Sequence, residues 1–322
     1  MFFSNYSKEE EKEIALQLKE HSDERAETDF FKLKKRVDID LEAIKPLSPV
    51  GLTFIENYMH VEILATKTKQ RISFFDFWYN REFYMSRDVS TQKLIQSIKK
   101  NKPYLTDVKI GKQVFNLYYG SISIFRPTIA AKLYKYLKPT CILDMTMGWG
   151  GRCVGAALLN IPKYIGIDNN VNLIEPYDKL TTFLKTQTTT EIELHFTDAL
   201  TLDYSKLNYD MVFTSPPYYN KELYGPDATS RTKEEWNTFF YIPLFKKSWE
   251  YLKEDGFYCL NIPVCIYQDL CIPLFGIANE EIELKKYSRI LPKNNEGKQK
   301  NVGQNYSEKI YIWRKTSHHD VV

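Results

Sequence analysis

A rigid turn rich in hydrogen-bond acceptors occurs at residues 214–218, where the sequence is Thr-Ser-Pro-Pro-Tyr and follows an apolar run that predicts a strand. Pro216 and Pro217 each restrict φ to about −65° and remove a backbone donor, so the carbonyl groups of the turn are expected to point outward. Acceptors in such a row could bind both hydrogens of an amino group outside a base ring. They would draw its nitrogen toward tetrahedral geometry and aim its lone pair at an electrophile.

Within this turn, Ser215 Oγ and the Pro216 carbonyl are the acceptors that we expect to hold the amine. Tyr218 has a ring that can stack on a base taken out of its helix or strand. An ordinary turn between a strand and a loop is the structural alternative. The catalytic prediction names four residues, which are Ser215, Pro216, Pro217 and Tyr218.

A second segment, residues 141–152, passes from an apolar strand through Gly148-Trp149-Gly150-Gly151 into a helix. Glycines permit positive φ and a close backbone approach, and free N–H groups at a helix start favour an anion. Asp168 ends the next predicted strand, where its carboxylate can accept from ribose hydroxyls. Because the G-x-G-x-x-G spacing of dinucleotide sites is absent, the segment favours a nucleoside without a pyrophosphate; a tight turn without a ligand is the alternative.

Short apolar runs alternate with helical segments from about residue 120, a pattern typical of a doubly wound α/β sheet. Seven strands are predicted, at residues 141–143, 164–167, 193–196, 211–214, 257–262, 282–287 and 309–313. Helices are predicted at 128–137, 151–159, 173–185 and 233–253, the last opened by Thr232 with Glu235 as a capping box and kinked by Pro243. Residues 1–115 have mostly helical patterns, including a helix that starts at Ser90-Thr91 and an aromatic-rich stretch at 74–84.

The amino-acid composition limits which classes of protein this chain can belong to. A net charge of +3 over 322 residues gives no global sign of a nucleic-acid binder, so such a surface must be local. Five cysteines without a Cys-x-x-Cys pair predict buried thiols in a reducing compartment and no metal site. Without a signal-peptide core or a long apolar run, we expect a cytoplasmic protein that does not contact a membrane.

With these motifs in view, the sequence resembles the amino methyltransferases that form N6-methyladenine or N4-methylcytosine in DNA. The resemblance covers about residues 120–315, and Gly-Trp-Gly-Gly-Arg is similar to the form found in phages and large DNA viruses. It implies S-adenosylmethionine as the cofactor and the seven-stranded Rossmann-like sheet of class I methyltransferases, with a mostly helical N-terminal extension. It also implies three parts, namely residues 1–115 of unknown role, a methyltransferase domain at 116–316 and a tail at 317–322.

The same resemblance implies roles for individual residues. Residues 144–151 match the cofactor motif, although Thr146 stands where the family usually has an aromatic residue. Asp168 matches the ribose-binding acid, Asp198 lies in the segment that flanks the adenine, and residues 125–128 match the segment beside the methionine end. The implied cofactor-binding residues are Phe125, Arg126, Thr128, Asp144, Thr146, Gly148, Gly150, Asp168, Asn169, Asp198 and Thr214.

The target is left partly open. In the family that the sequence resembles, a serine at the position of Ser215 is commoner among cytosine-N4 enzymes, so the resemblance favours cytosine N4 and leaves adenine N6 as an alternative. Cytosine C5 chemistry is excluded because no Pro-Cys dipeptide occurs. DNA is the expected partner, with RNA as a second hypothesis, a catalytically inactive partner subunit as a third, and a homodimer allowed by the aromatic stretch. Predicted substrate contacts are Tyr219, Lys221, Arg231 and Lys293; the basic stretch that holds Lys293 is equally well explained as a solvated hairpin.

Overall fold

The first third of the chain is helical. The computed structural model describes residues 4–45, 48–219, 222–223 (backbone only), 231–284 and 308–316. The elements up to residue 118 are α1 (Lys8–Leu18), α2 (Asp23–Asp40), α3 (Leu52–Ala65), β1 (Lys67–Thr68), α4 (Phe74–Tyr79), α5 (Arg81–Ser86), α6 (Val89–Asn101) and α7 (Asp107–Tyr118). Helix α6 starts earlier than predicted, because the Asp88 side chain rather than Ser90 accepts the free N–H of Thr91 and caps it.

A seven-stranded sheet forms the centre of the second part of the chain. Its strands, with a short extra strand β6, are β2 (Cys141–Asp144), β3 (Lys163–Asp168), β4 (Glu191–Phe196), β5 (Met211–Thr214), β6 (Glu222–Leu223), β7 (Phe257–Pro263), β8 (Glu280–Glu283) and β9 (Glu308–Arg314). The order is β4-β3-β2-β5-β7-β9-β8, and β9 is antiparallel to both of its neighbours while the other pairs are parallel. This is the predicted Rossmann-like sheet of class I methyltransferases. Strand β8 begins two residues before the predicted start, and the predicted end of that strand lies outside the described residues.

Helices cover both faces of this sheet. They are α8 (Pro127–Leu137), α9 (Gly151–Leu158), α10 (Ile174–Lys185), α11 (Lys233–Trp236), α12 (Ile242–Glu250), α13 (Val264–Ile266) and α14 (Ile272–Phe275). The predicted capping box of Thr232 and Glu235 opens α11. Between α11 and α12 the helix widens into a π-helical turn, Asn237–Tyr241, just before Pro243. Proline lacks an N–H and its ring collides with the carbonyl four residues earlier, so the division there matches the prediction.

The buried apolar residues form separate clusters that divide the N-terminal region. Helices α2 and α3 bury Phe30, Leu33 and Phe54 in the same cluster as α8, α9 and α10, on one face of the sheet. A second cluster lies on the other face beneath α12 and α14. Helices α1, α4 and α7 enclose a third, in which Phe74 and Phe77 are buried. The aromatic stretch at 74–84 is therefore mostly core, and α2 and α3 are part of the layer that covers the sheet.

Two properties of the described part bear on the composition argument. None of its helices is both long and apolar enough to cross a membrane. Four of the five cysteines are buried, as predicted, but Cys265 is exposed because it lies in the short helix α13 at the sheet's edge rather than in a strand or an inner helix.

Candidate active site

The two motifs lie side by side at the carboxyl edge of the sheet. Strands β2 and β5 are adjacent and parallel, with Leu143 opposite Val212, so the turns that follow them emerge at the same edge. Thr146 Oγ1 and Thr214 Oγ1, one from each turn, are 2.6 Å apart. Strand order reverses between β2 and β5, and such a switch point is where open α/β sheets bind ligands.

Asp144, at the end of β2, holds the two turns together. Its carboxylate is fully buried and accepts from Arg152 Nε at 2.7 Å, from Tyr164 Oη at 2.6 Å and from Thr214 Oγ1 at 2.9 Å. The Thr146 N–H also points at it, at 3.4 Å. These contacts fix the Asp144 side chain between the two turns, and its predicted contact with the cofactor stays a prediction.

Arg152 is the buried counterpart of this carboxylate. Burial lowers its pKa, but the hydrogen-bonded Asp144 raises it more, so the guanidinium remains charged. Its Nη2 also donates to the carbonyl of Thr146. The Phe125 ring lies 5.2 Å from the guanidinium carbon and 5.5 Å from the ring of Phe213, which brings the 125–128 segment against the glycine turn.

The other two residues of that segment have different surroundings. Arg126 turns away from the glycine turn and donates through Nε to the Ser48 carbonyl at 3.2 Å, while burial lowers its pKa. Thr128 is 1% exposed, and its Oγ1 has no hydrogen-bond partner among the described residues.

The glycine turn forms an open backbone cradle beside Asp168. Gly148 and Gly150 have φ of 54° and 88°, in the left-handed region that favours glycine. A Cβ on Gly148 would meet only the Thr146 carbonyl, at 3.8 Å, so open space lies in front of this backbone. Tyr177 Oη supports the turn from behind by donating to the Gly148 carbonyl at 2.9 Å.

Asp168 ends β3 and faces this cradle. Its two oxygens accept from the N–H groups of Gly148 at 3.0 Å and Asn170 at 2.9 Å. Burial raises the pKa of the carboxyl, and those two N–H donors oppose the shift. Each oxygen keeps a lone pair, so the carboxylate can accept two further hydrogen bonds from a ribose. Asn169 beside it is exposed, and the exposed Asp198 accepts from the Leu200 N–H at 2.9 Å.

Gly151 differs from Gly148 in what surrounds it, which gives a test of the turn. A Cβ at Gly151 would lie 1.8 Å from the Phe125 carbonyl oxygen. We expect Gly151→Ala to reduce the free energy of unfolding by about 3 kcal/mol or more, because two backbones must separate. Gly148→Ala, the matched control, should cost about 1 kcal/mol, since only its φ is strained. Urea denaturation of both variants measures the difference, and equal losses would contradict the close packing described here.

A hydrogen-bonded network fixes the Ser-Pro-Pro-Tyr turn to strand β7. Tyr218 Oη donates to the Asn261 carbonyl at 2.8 Å and accepts from Asn261 Nδ2 at 2.7 Å. Asn261 Nδ2 also donates to Ser215 Oγ at 3.1 Å, and Ser215 Oγ lies 3.0 Å from Tyr218 Oη. Because the tyrosine proton goes to the carbonyl, the serine proton goes to the tyrosine oxygen. Ser215 Oγ thus donates once, accepts once and keeps one lone pair for a further donor.

The prolines of the turn are held from the opposite side by Tyr241. Its hydroxyl accepts from the Tyr219 N–H at 3.1 Å and donates to the Pro217 carbonyl. Tyr219 needs this support because its φ of 52° is strained for a residue with a side chain. Ser215 is partly exposed and Pro216 is buried; among the described residues, none donates a hydrogen bond to the Pro216 carbonyl.

The predicted substrate residues are only partly within the described chain. Tyr219 packs edge-on against Tyr241, and its hydroxyl donates to Asn237 Oδ1 at 3.3 Å. Arg231 is exposed and lies over the ring of Trp236 at 5.5 Å. Lys221 and Lys293 lie outside the described residues, as does the basic stretch around Lys293.

Five residues that organise the site are absent from the sequence-based prediction, namely Arg152, Tyr164, Tyr177, Tyr241 and Asn261. The sequence could have indicated Arg152 and Asn261 as site residues, since each is a polar residue within a segment that is otherwise apolar and buried. Such a residue must find hydrogen-bond partners, which is what both do. No such indication existed for Tyr241, because it reaches the turn only through the π-helical widening before Pro243.

Comparison with known proteins gave structural similarities alone. No protein-family model matches the sequence, and no curated protein matches it significantly. TrmN from Thermus thermophilus is similar at 14% identity and a TM-score of 0.41, over 59% of this chain and 48% of that one. An S-adenosylmethionine-dependent O-methyltransferase from Thermotoga maritima is similar at 13% identity and 0.39, over 64% and 72%. For the tRNA m1G37 methyltransferase of M. jannaschii the values are 13% and 0.38, over 58% and 48%. The matched region therefore spans about half the length of the first and third of these proteins.

Proposed function

We propose that the protein transfers a methyl group from S-adenosylmethionine to an amino nitrogen outside the ring of a base in DNA. The observation that carries this proposal is the turn at the end of β5. Ser215 Oγ in this turn keeps one lone pair and lies beside the glycine turn and Asp168 at the same edge of the sheet, which supports the proposal that it and the Pro216 carbonyl hold the amine.

The residues of the glycine turn fit the proposed cofactor. Asp168 keeps two acceptor positions for ribose hydroxyls, and the open space before Gly148 leaves room for a ligand close to the backbone. Thr128 Oγ1 is a buried polar atom that a bound molecule could satisfy. When bound, S-adenosylmethionine supplies the methyl group.

The protein's own part in the proposed reaction is to orient the amine. Ser215 Oγ and the Pro216 carbonyl each accept one N–H, which localises the nitrogen lone pair that is otherwise delocalised into the ring. With the cofactor bound, this lone pair would point at the methyl carbon, and the cofactor's sulfur would be the leaving group. The amine gives up one proton afterwards, and water can take it, so no side-chain base is required. Tyr218, fixed at its hydroxyl, presents its ring for stacking on the base.

The polymer and the base are the open parts of this proposal. DNA follows from the family resemblance, and Ser215 favours cytosine N4 over adenine N6. RNA is the alternative, since the acceptors of the turn would serve an amino group in either polymer.

Incubation with tritium-labelled S-adenosylmethionine tests the proposal. Duplex DNA, single-stranded DNA and RNA form parallel arms, and mass spectrometry of the digested nucleosides identifies the product. We expect N4-methylcytosine or N6-methyladenine in a DNA arm. Label only in the RNA arm would move the proposal to RNA, and no label in any arm together with no binding of the cofactor would refute it.

Asn261 provides a sharper test of the turn. We expect Asn261→Ala to lower kcat by about 10- to 100-fold, since Ser215 and Tyr218 lose the amide that orients both of them. The Kd of S-adenosylmethionine should stay within about twofold, because Asn261 does not contact the glycine turn. Thermal denaturation of the variant checks that the sheet is intact. Loss of cofactor affinity equal to the loss of kcat would show a general structural role instead.

A further inference from the structure

Helix α6 and its flanking residues carry a concentrated positive charge that the whole-chain composition hides. Residues 87–109 contain six lysines and arginines against two aspartates, a net charge of +4, whereas the entire chain has +3. The rest of the chain is therefore nearly neutral. A local excess of this kind creates a positive potential that attracts a polyanion.

The lysines of this segment lie on its solvent side. Thr91, Leu94 and Ile95 turn inward, where the two apolar residues pack against the third apolar cluster. Lys93 and Lys100 are exposed and seven residues apart, so they lie on one face of the helix, about 10 Å from each other along its axis. Two further exposed lysines, Lys99 and Lys102, lie at its C-terminal end. We call these four lysines the α6 basic surface.

Few carboxylates neutralise this surface. Lys99 pairs with Asp107 at 3.1 Å. For Lys93, Lys100 and Lys102, no carboxylate lies within salt-bridge distance among the described residues. By contrast, Lys163 on strand β3 bonds to both Glu191 and Glu193. Unpaired, fully hydrated lysines are the ones that can exchange counterions for phosphates.

Contacts link the start of helix α6 to the segment that follows the Ser-Pro-Pro-Tyr turn. Helix α6 is antiparallel to α7, because Arg87 at its start donates to Tyr119 Oη at 3.3 Å while Lys99 at its end pairs with Asp107. Gly120, next along the chain, faces Thr68, and β1 pairs with β6, which follows the catalytic turn by only a few residues. The helix extends about 20 Å away from this point of contact, toward Lys99 and Lys102.

We infer that the α6 basic surface binds the phosphate backbone of the nucleic-acid substrate and aligns it with the Ser-Pro-Pro-Tyr turn. The identity of the polyanion as nucleic acid rests on the proposed function. The four lysines extend over about 14 Å along the helix, which matches roughly four base steps of a duplex. Tyr104, which follows Lys102 and is 77% exposed, adds an aromatic face for an unpaired base at the outer end.

The test compares two double variants that lose the same charge. Lys93→Gln/Lys100→Gln removes two lysines of the surface, and Lys185→Gln/Lys253→Gln removes two exposed lysines of the sheet domain at the opposite edge. Fluorescence anisotropy at several salt concentrations measures binding of labelled duplex DNA, single-stranded DNA and RNA. We expect the first variant to bind at least about tenfold more weakly and its log–log salt slope to fall by about 2, with the control unchanged.

Cofactor affinity and methyl transfer, measured on the same proteins, separate this inference from the proposed function. Equal oligonucleotide binding by both variants would refute the α6 basic surface even if the protein methylates DNA. Selective loss in the first variant would support the surface even if no methylation is found. Binding of anionic phospholipid vesicles, with no binding of any oligonucleotide, would refute the inference and assign the surface to a membrane.

Discussion

Ser215→Ala is expected to lower kcat for methyl transfer by about 100- to 1000-fold, with little change in the Kd of S-adenosylmethionine. Removing one preorganised hydrogen-bond partner of a reacting group from an active site typically lowers kcat by about this factor. Ser215 Oγ is fixed by Asn261 Nδ2 and Tyr218 Oη, so its remaining lone pair is already directed when the amine arrives. Single-turnover kinetics with labelled cofactor measure the loss directly.

The control for Ser215 is Ser205→Ala, which removes a hydroxyl from an exposed turn elsewhere in the same domain and should leave kcat unchanged. The double variant Ser215→Ala/Asn261→Ala adds a second check. If Asn261 acts by orienting Ser215, removing it from the Ser215→Ala protein should cost little more. A further loss in the double variant would show that Asn261 also acts through Tyr218, and an active Ser215→Ala enzyme would contradict the role of its hydroxyl.

The positions of the inner parallel strands could be predicted because parallel strands buried on both faces are short apolar runs. All seven strands of the sheet occur where the pattern indicated them, and their ends differ by at most two residues, except at β8, whose predicted end lies outside the described residues. The adjacency of the two turns could also be predicted, since a doubly wound sheet brings the carboxyl ends of its central strands to one edge.

The interior of the site could not be derived in this way. Periodicity identifies Asp144 as a strand-end acid but not that Arg152, Tyr164 and Thr214 occupy its oxygens, because those contacts depend on side-chain direction in three dimensions. The packing of the N-terminal helices could not be predicted for a related reason. An amphipathic helix such as α2 shows which face is apolar, but not that this face packs on the sheet rather than within its own bundle.

Asp168→Ala is expected to weaken S-adenosylmethionine binding by about 100-fold while leaving kcat at saturating cofactor nearly unchanged. Two hydrogen bonds from ribose hydroxyls to an ionised carboxylate contribute about 3 kcal/mol, which corresponds to that factor. Asp178→Ala, on the exposed side of helix α10, removes a carboxylate without touching the turn and serves as the control. Isothermal titration calorimetry gives both Kd values. A kcat loss larger than the Kd change would contradict the proposal that Asp168 binds the cofactor while the Ser-Pro-Pro-Tyr turn orients the amine.

Because the pKa of Asp168 is raised, the stability of the ligand-free protein and the affinity for the cofactor should depend on pH in opposite directions. Burial favours the protonated carboxyl in the folded protein, so the contribution of this group to the stability of the ligand-free protein decreases as pH rises through its folded pKa. Cofactor affinity should change the other way, because only the ionised form accepts from both hydroxyls, and it should fall as pH drops through the same pKa. Calorimetry and thermal denaturation between about pH 4 and 8 measure the two trends. Asp168→Asn should remove both of them together, and if the affinity trend persists in that variant, another group must bind the ribose.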